Sequence, residues 1–403
     1  MEFMWEFQLK GWCKMMTLLK ICFFISGFLI FWAMIGYPIS IKILGKIYKN
    51  RKNLKDYSLQ PSVTIMIVAH NEEKVIKEKL DNVCCLNYPK DKLCILVASD
   101  NSTDHTNVIV NQYIKEHSEM NIRLYVTKEH RGKTNAQNEA QKTITTDFIV
   151  MTDANAMLDK NAVKELMASF IDIKIAYVTG CLKYTNIDNN TASSEGNYWD
   201  SDVMIRDIES RIQTITAGNG ALYACRNQDY YDIPLIECHD STMPYDFALK
   251  GRRAINDLKA IAYEKAGEND QDEFKRKVRM NRIILIALQR GIKSLNFFKY
   301  RWFSFFYFGH RTCRYLLWLN HTILFLTNIF ICEENIIYYI FLLLQIGFYV
   351  LGPMYQIFKL NNKLLKMIHY YIITILAQWI GVFNILFGKA KPTWEKAEST
   401  RGE

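Results

Sequence analysis

Val63-Thr-Ile-Met-Ile-Val-Ala69, followed at once by His70-Asn71-Glu72-Glu73, decides the reading of the middle of the chain. An unbroken apolar, β-branched run of this length suits a strand buried on both faces of a parallel sheet. After it, Val75, Ile76, Leu80, Val83 and Cys84 share one face at helical spacing. The same alternation then repeats. A strand is expected over residues 93–98, ending at Asp100, with Ser102, Thr103 and Asp104 able to cap a helix through Val108 and Tyr113. Further strands are expected over residues 122–126 and 148–151, the latter ending at Asp153, and a helix carries Val163, Leu166, Met167 and Phe170. Strand and helix in regular alternation predict βαβ units and an open parallel α/β sheet. Ligands bind such sheets at the C-terminal strand ends, where His70-Asn71, Asp100 and Asp153 all fall.

Outward from this core the composition changes sharply. Half of the 403 residues are hydrophobic and 23% are charged, but nearly all the carboxylates lie in the middle. Residues 21–41 form an uncharged run between Lys20 and Lys42. As a helix, such a run crosses the ~30 Å of bilayer hydrocarbon. It is too long for a signal-peptide core and lacks a small-residue cleavage site, so a signal anchor is the expectation. Residues 315–332, 335–358 and 367–388 form three more such runs. The expected order is a tail (1–20), a span (21–41), a basic linker (42–60), a catalytic domain (61–287), an interfacial amphipathic region (288–314), spans at 315–332 and 335–358, a transmembrane or interfacial helix at 367–388, and a tail (389–403).

The net charge of +9 does not point to nucleic acid, because much of the excess flanks the apolar runs, as in Lys42, Lys46, Lys49, Arg51, Lys52 and Lys55. Such clusters mark the cytoplasmic side and favour anionic headgroups. Glu333-Glu334 suggests the outside, and Lys359, Lys363 and Lys366 the inside. The lipid bilayer is therefore an expected partner, and an integral protein of the cell (inner) membrane with a cytosolic domain is the expected arrangement. Three full C-terminal spans would put the basic tail outside, against this rule. The ten cysteines show no zinc-like pairing and suit a reducing compartment.

Four clusters carry the chemistry. Asp100-Asn-Ser-Thr-Asp104 offers a strand-end carboxylate for a base or ribose, or a helix cap. Asp153-Ala-Asn155 places two oxygen ligands where Mg²⁺ or Mn²⁺ could be held with phosphate; a turn would look the same. Arg131-Gly-Lys133 puts cations beside a glycine that phosphate can approach, or is a solvated charge cluster. Asp240 suits a general base, or another cap. Downstream, Lys275-Arg-Lys-Val-Arg279 is a cationic run that could grip a diphosphate.

In their order, these clusters resemble glycosyltransferase family 2, which includes the hyaluronan, chitin and cellulose synthases. Ala69-His-Asn-Glu-Glu73 resembles its first strand-end motif, Asp100–Asp104 its "D-G-S-T-D", Arg131-Gly-Lys133 its "R-G-G-K" less one glycine, and Thr152-Asp-Ala-Asn155 its metal motif. Gly218-Asn-Gly-Ala221 resembles its acceptor-side stretch, and His239-Asp240 stands where the family has an acidic pair. Glu273–Arg279 takes the place of "Q-x-x-R-W" without its Gln or Trp, and Gly309–Arg314 and Trp394 are similar to interface and tail features of some members. Motifs gain weight from ordered context of this kind.

The resemblance implies a GT-A domain, a UDP-sugar donor, a divalent cation and an inverting mechanism. Ala69, Asn71, Glu72, Asp100, Lys133, Asp153, Arg276 and Arg279 would meet the nucleotide sugar. Asp153 and Asn155 would hold the cation, Asp240 would be the base, and Gly218, Asn219, Gly220 and His239 would line the acceptor side. The expected acceptor is a glycan or lipid-linked sugar in bacterial polysaccharide synthesis, with other polysaccharide-assembly proteins as possible partners. A processive synthase, an inactive nucleotide-sugar-binding scaffold, and a transporter using His321, His369 and Gln378 are the alternatives.

Overall fold

A computed structural model describes residues 2–185, 190–265, 270–358 and 362–393. Lys359 and Trp394 lie outside the described residues. The described residues within 1–40, 274–292 and 308–388 form one compact unit, and those within 41–273, 293–307 and 389–393 form another.

The second unit is built on an eight-stranded sheet. Its strands are β1 (Val63–Ala69), β2 (Leu93–Ser99), β3 (Ile122–Val126), β4 (Phe148–Asp153), β5 (Met157–Leu158), β6 (Ile175–Tyr184), β7 (Leu222–Arg226) and β8 (Arg253–Glu264). Their order is β3-β2-β1-β4-β7-β6-β8-β5. Every residue of β1 and β2 is buried, because apolar layers cover both faces of the sheet. Ile67 and Val97 face one layer, while Met66 and Leu96 face the other.

The expected parallel sheet holds from β3 through β4. Val63 pairs with both Leu93 and Phe148, so these strands start flush and end flush. Their C-terminal ends therefore share one edge. Beyond β4 the sheet is mixed, which corrects the all-parallel expectation: β7 runs antiparallel to β4 and to β6, and β6 is parallel to β8. The reversal has a consequence for the site. Leu222 opens β7 opposite Thr152 near the end of β4, so the loop leading into β7 arrives where β4 runs out.

The first unit is helical. Among the described residues, three helical stretches are long and apolar enough to cross a membrane: Gly11–Ile47, which continues into the second unit, Ile336–Tyr355 and Leu364–Leu386. The helix Leu317–Ile331 is shorter than the run expected over 315–332. Residues 2–20, expected as a tail, are the start of the helix Glu2–Phe31. Phe24, Phe28, Ile336, Ile337 and Leu344 are all exposed, an apolar band that lipid would cover. Inside, polar groups link the helices. His321 bonds the Tyr349 and Tyr371 hydroxyls at 2.8 and 2.9 Å, Asn328 donates to Gln345, and Gln378 donates to the Arg314 carbonyl. His369 bonds the Gly352 carbonyl, so all three residues considered for a transport path are engaged in helix–helix bonds.

The interfacial region expected over 288–314 is not one helix. It breaks into Ile284–Ser294, Phe297–Tyr300 and Trp302–Phe306, with Asn296 capping the second and Arg301 at φ 55° before the third. Phe298 is fully exposed. Phe303 is buried against Tyr245 and Tyr307.

Candidate active site

The loops after β1 and β2 are bonded to each other. Asn71 takes φ 55°, a conformation asparagine tolerates better than most residues. Its Oδ1 accepts the Thr103 N–H at 2.8 Å and the Asp104 N–H at 3.4 Å. The Glu72 N–H donates to Thr106 Oγ1, and the Glu73 N–H to Asp104 Oδ2. Asp104 also accepts the Thr106 N–H, so it serves the start of the helix Thr106–Glu116 and the neighbouring loop together. Asn71 and Glu72 thus fix the strand-end platform, and Ala69 lies buried at its root, its carbonyl accepting the Asp100 N–H.

Asp100 is completely buried at the end of β2. Its carboxylate accepts the Arg131 N–H at 3.1 Å, the Gly132 N–H at 2.7 Å and the Thr127 hydroxyl at 3.3 Å, and pairs with His130 Nδ1 at 2.8 Å. His70, Asp100 and His130 are residue types that could hold a metal ion, with ligand atoms within 4.8 Å of one another. The two imidazoles stack at 3.7 Å, however, and the Asp100 oxygens are committed to the loop. The trio reads as the anchor that shapes residues 127–132. Gly132 has φ 103°, and an added Cβ would lie 2.6 Å from the Pro392 carbonyl.

This anchor launches the helix Lys133–Gln141 and presents Lys133. The Lys133 ammonium forms an ion pair with Asp153 and lies 3.4 Å from the Gly220 carbonyl. Burial disfavours its charge, but Asp153 outweighs that and holds the pKa above the ordinary lysine value. Gly220 marks the meeting point. A Cβ there would lie 3.3 Å from Lys133 Nζ, 3.7 Å from Asp240 Oδ2 and 3.8 Å from Asp153 Oδ2. Lys133, Asp153, Gly220 and Asp240, distant in sequence, converge on one point.

A hard divalent cation takes oxygen ligands. Asp153 supplies a carboxylate. Asn155 donates its amide N–H to Glu264 at 2.6 Å, which leaves Oδ1 as its ligating atom. The cation now at Asp153 is the Lys133 ammonium, so the position already selects positive charge. The donor set therefore fits Mg²⁺ or Mn²⁺.

Asp240 lies in the first turn of the helix His239–Leu249, and its carbonyl accepts the Gly218 N–H at 2.7 Å. His239 points the other way. It is buried, its Nε2 bonds the Tyr230 hydroxyl at 2.7 Å and Asn138 at 3.1 Å, and burial pushes its pKa down to about 3. Asn219 is also buried, donating to Thr179 and the Gly180 carbonyl and accepting from Ala221 and Leu222. Gly218 is packed on Tyr177. Of the four residues expected on the acceptor side, Gly220 faces the cluster, Gly218 and Asn219 build its loop, and His239 packs into the interior. Arg276 and Arg279 stand on the helix Asp270–Met280, in the part that belongs to the helical unit.

Sequence reasoning missed Glu264, His130 and Lys79. Glu264 ends β8, and the strand-end rule that found Asp100 and Asp153 could have found it. Lys79 shares the apolar face of Ile76, Leu80 and Val83, an unusual place for a charge.

Comparison with known proteins agrees with this geometry. Residues 64–232 match the family described as Glycosyl transferase family 2, a match that ends before Asp240. A probable glycosyltransferase, YdaM, of Bacillus subtilis is 35% identical over 177 residues, 41% of each chain. The poly-β-1,6-N-acetyl-D-glucosamine synthase of Staphylococcus aureus is 32% identical over 120 residues, covering 29% of this chain and 28% of that one. The alignments thus span less than half the length of these relatives. The mannosyltransferase PcManGT of Pyrobaculum calidifontis, solved with GDP-Man and Mn²⁺, shares the fold at TM-score 0.72 and 19% identity, over 92% of this chain and 99% of that one. By sequence match, residues 64–232, which carry Lys133 and Asp153, are similar to glycosyltransferase family 2, and the fold that carries the cluster is the GT-A fold shared with solved glycosyltransferases.

Proposed function

We propose that the chain is a membrane-bound inverting glycosyltransferase that moves a sugar from a UDP-sugar donor to a glycan or lipid-linked acceptor at the cytosolic face of a bacterial cell membrane. The observation that carries this reading is the convergence of Lys133, Asp153 and Asp240 at Gly220. In this reading they are a base, a cation-binding carboxylate and a phosphate-binding ammonium around one small space.

In the proposed reaction Asp240 accepts the proton of the acceptor hydroxyl. The hydroxyl oxygen forms its bond to the anomeric carbon as the bond from that carbon to the UDP oxygen breaks. UDP leaves with the bonding pair, and inversion follows from attack opposite the leaving group. Asp153 and Asn155 Oδ1 would hold the divalent cation, which when bound neutralises charge on the diphosphate. Lys133 exchanges Asp153 for the leaving diphosphate, a charge stabilisation of the kind that often dominates catalysis. Asp100 acts on the nucleotide pocket through the loop it anchors. Arg276 and Arg279 are proposed as further diphosphate contacts. Buried and neutral, His239 is not the base.

Likeness to the staphylococcal enzyme, named for a poly-N-acetylglucosamine product, supports an N-acetylhexosamine donor and keeps a processive synthase as the second reading. Membranes carrying the wild type or Asp240→Asn, given UDP- and GDP-sugars with Mn²⁺ or EDTA, decide the matter by nucleotide release. The expected result is release from one UDP-sugar, lost with EDTA and reduced at least ~100-fold in the variant, the scale of general-base catalysis. Undiminished release from Asp240→Asn would remove the base assignment. Release from a GDP-sugar alone would replace the donor. Product size by gel filtration separates single transfer from polymerisation.

A further inference from the structure

Lys79 has no place in the reaction just described, yet it is fully buried beneath it. It lies on the helix Ile76–Cys84, on the face whose Ile76, Leu80 and Val83 belong to the core. An apolar residue would be the default there, since burying an ammonium is costly. Among the described ion pairs no carboxylate partners it; Asp153 and Glu264 act on it only from a distance. Its ammonium donates instead to Thr152 Oγ1 at 2.9 Å and to the Ala156 carbonyl.

These two oxygens flank Asp153-Ala154-Asn155 on either side. The turn is closed by the Ala156 N–H donating to the Asp153 carbonyl at 3.3 Å. On its outer side, Glu264 holds the Asn155 amide. Lys79 thus ties the two ends of the turn together from below, while Glu264 orients its second ligand.

We infer that Lys79 is a positioning residue for the cation-binding turn: by bridging Thr152 and Ala156 it holds the Asp153 carboxylate and Asn155 Oδ1 aimed at one point. This rests on the reading of Asp153 and Asn155 as the cation site. Lys79 touches neither donor nor acceptor. Groups that orient ligands from behind typically change metal affinity 10- to 100-fold when removed.

The test uses the full chain in detergent and reads free Mn²⁺ by electron paramagnetic resonance during titration in the presence of UDP. Thermal unfolding is followed in parallel. Lys79→Met is expected to weaken Mn²⁺ binding at least ~10-fold while unfolding at or above the wild-type temperature, because it removes a buried charge. Thr152→Val removes one of the two bonds and is expected to shift affinity the same way by less. Wild-type Mn²⁺ affinity in Lys79→Met, or a lower unfolding temperature with unchanged affinity, overturns the proposal. Should Lys79→Met not fold, unchanged affinity in Thr152→Val overturns it. Asp153→Asn separates the two readings. If it binds Mn²⁺ as tightly as the wild type, the cation site itself is misassigned. If it loses binding while Lys79→Met does not, only the role of Lys79 is.

Discussion

His239 carries its imidazole into the domain interior, where Tyr230 and Asn138 hold Nε2 and loss of water pushes its pKa from 6.5 down to about 3. The unfolded chain takes up this proton near pH 6.5, and the folded chain only near 3. Between these values the unfolded state binds more protons, so stability falls as the pH drops, by up to about 1.4 kcal/mol per pH unit from this group. Denaturant unfolding at pH 7 and pH 5 should show a smaller acid loss in His239→Gln than in the wild type; parallel losses would mean the imidazole stays protonated in the fold. Gly220 makes the complementary point about space. Its missing side chain leaves open the spot that Lys133, Asp153 and Asp240 surround. A methyl group there would lie 3.3 Å from Lys133 Nζ, a tight contact that the flexible lysine end relieves by a small shift. Gly220→Ala is therefore expected to fold with stability within ~0.5 kcal/mol of the wild type but to lose at least ~10-fold in kcat/KM, about 1.4 kcal/mol of transition-state stabilisation. Equal turnover would show that the reacting groups lie elsewhere.

Among the elements, β1, β2 and β4 were legible because burial on both faces leaves an unbroken apolar run in each. The second half of the sheet was not. Asn256, Asp257 and Lys259 interrupt β8, and nothing local in Leu222–Arg226 tells that β7 runs against β4. The same division holds in the site. Asp153 and Lys133 stand out by type and position, whereas the use of Lys79 and Glu264 depends on partners far away in sequence. Lys55 shows the converse. It reads as one of a row of headgroup-facing cations, but it bridges Glu165 and Asp257, and the Asp257 side chain is only 2% exposed. Lys55→Met would strand that carboxylate and is expected to cost about 3–5 kcal/mol in denaturant unfolding; a loss below 1 kcal/mol would mean water reaches Asp257. Gly132, at φ 103° beside the Pro392 carbonyl, takes a conformation reserved for glycine. Gly132→Ala should lose about 1–3 kcal/mol, and turnover with it, because Lys133 begins the helix that follows.

At the scale of the whole molecule, the last apolar helix, Lys363–Leu386, is long enough to cross a bilayer, but from its neighbours it is expected to lie along one surface. Tyr370 meets Lys277 and Gly381 meets Asn281, both just past the point where the chain enters the helical unit from the sheet-bearing one. Tyr371 and Gln378 bond to the start of the helix Leu317–Ile331, and His369 to Gly352, near the end of Ile336–Phe358. Residues 369–381 therefore meet the first half of Leu317–Ile331, the second half of Ile336–Phe358 and the turn at Asn281. The ion pair of Lys20 with Glu334 lies just past the other end of Leu317–Ile331. Beyond the helix, Pro392 lies against Gly132, and residues 389–393 belong to the sheet-bearing unit. A surface-lying helix also removes the conflict between a basic tail and the positive-inside rule. Labelling with a membrane-impermeant maleimide tests this, with Cys85, exposed on the sheet-bearing unit, as the reference thiol. In a chain whose other cysteines are replaced, Cys85 and Lys389→Cys should both label in inside-out vesicles and neither in spheroplasts, while Glu333→Cys labels only in spheroplasts. If Lys389→Cys follows Glu333→Cys, the last helix crosses the membrane, and the tail in the cell lies on the side opposite the active site.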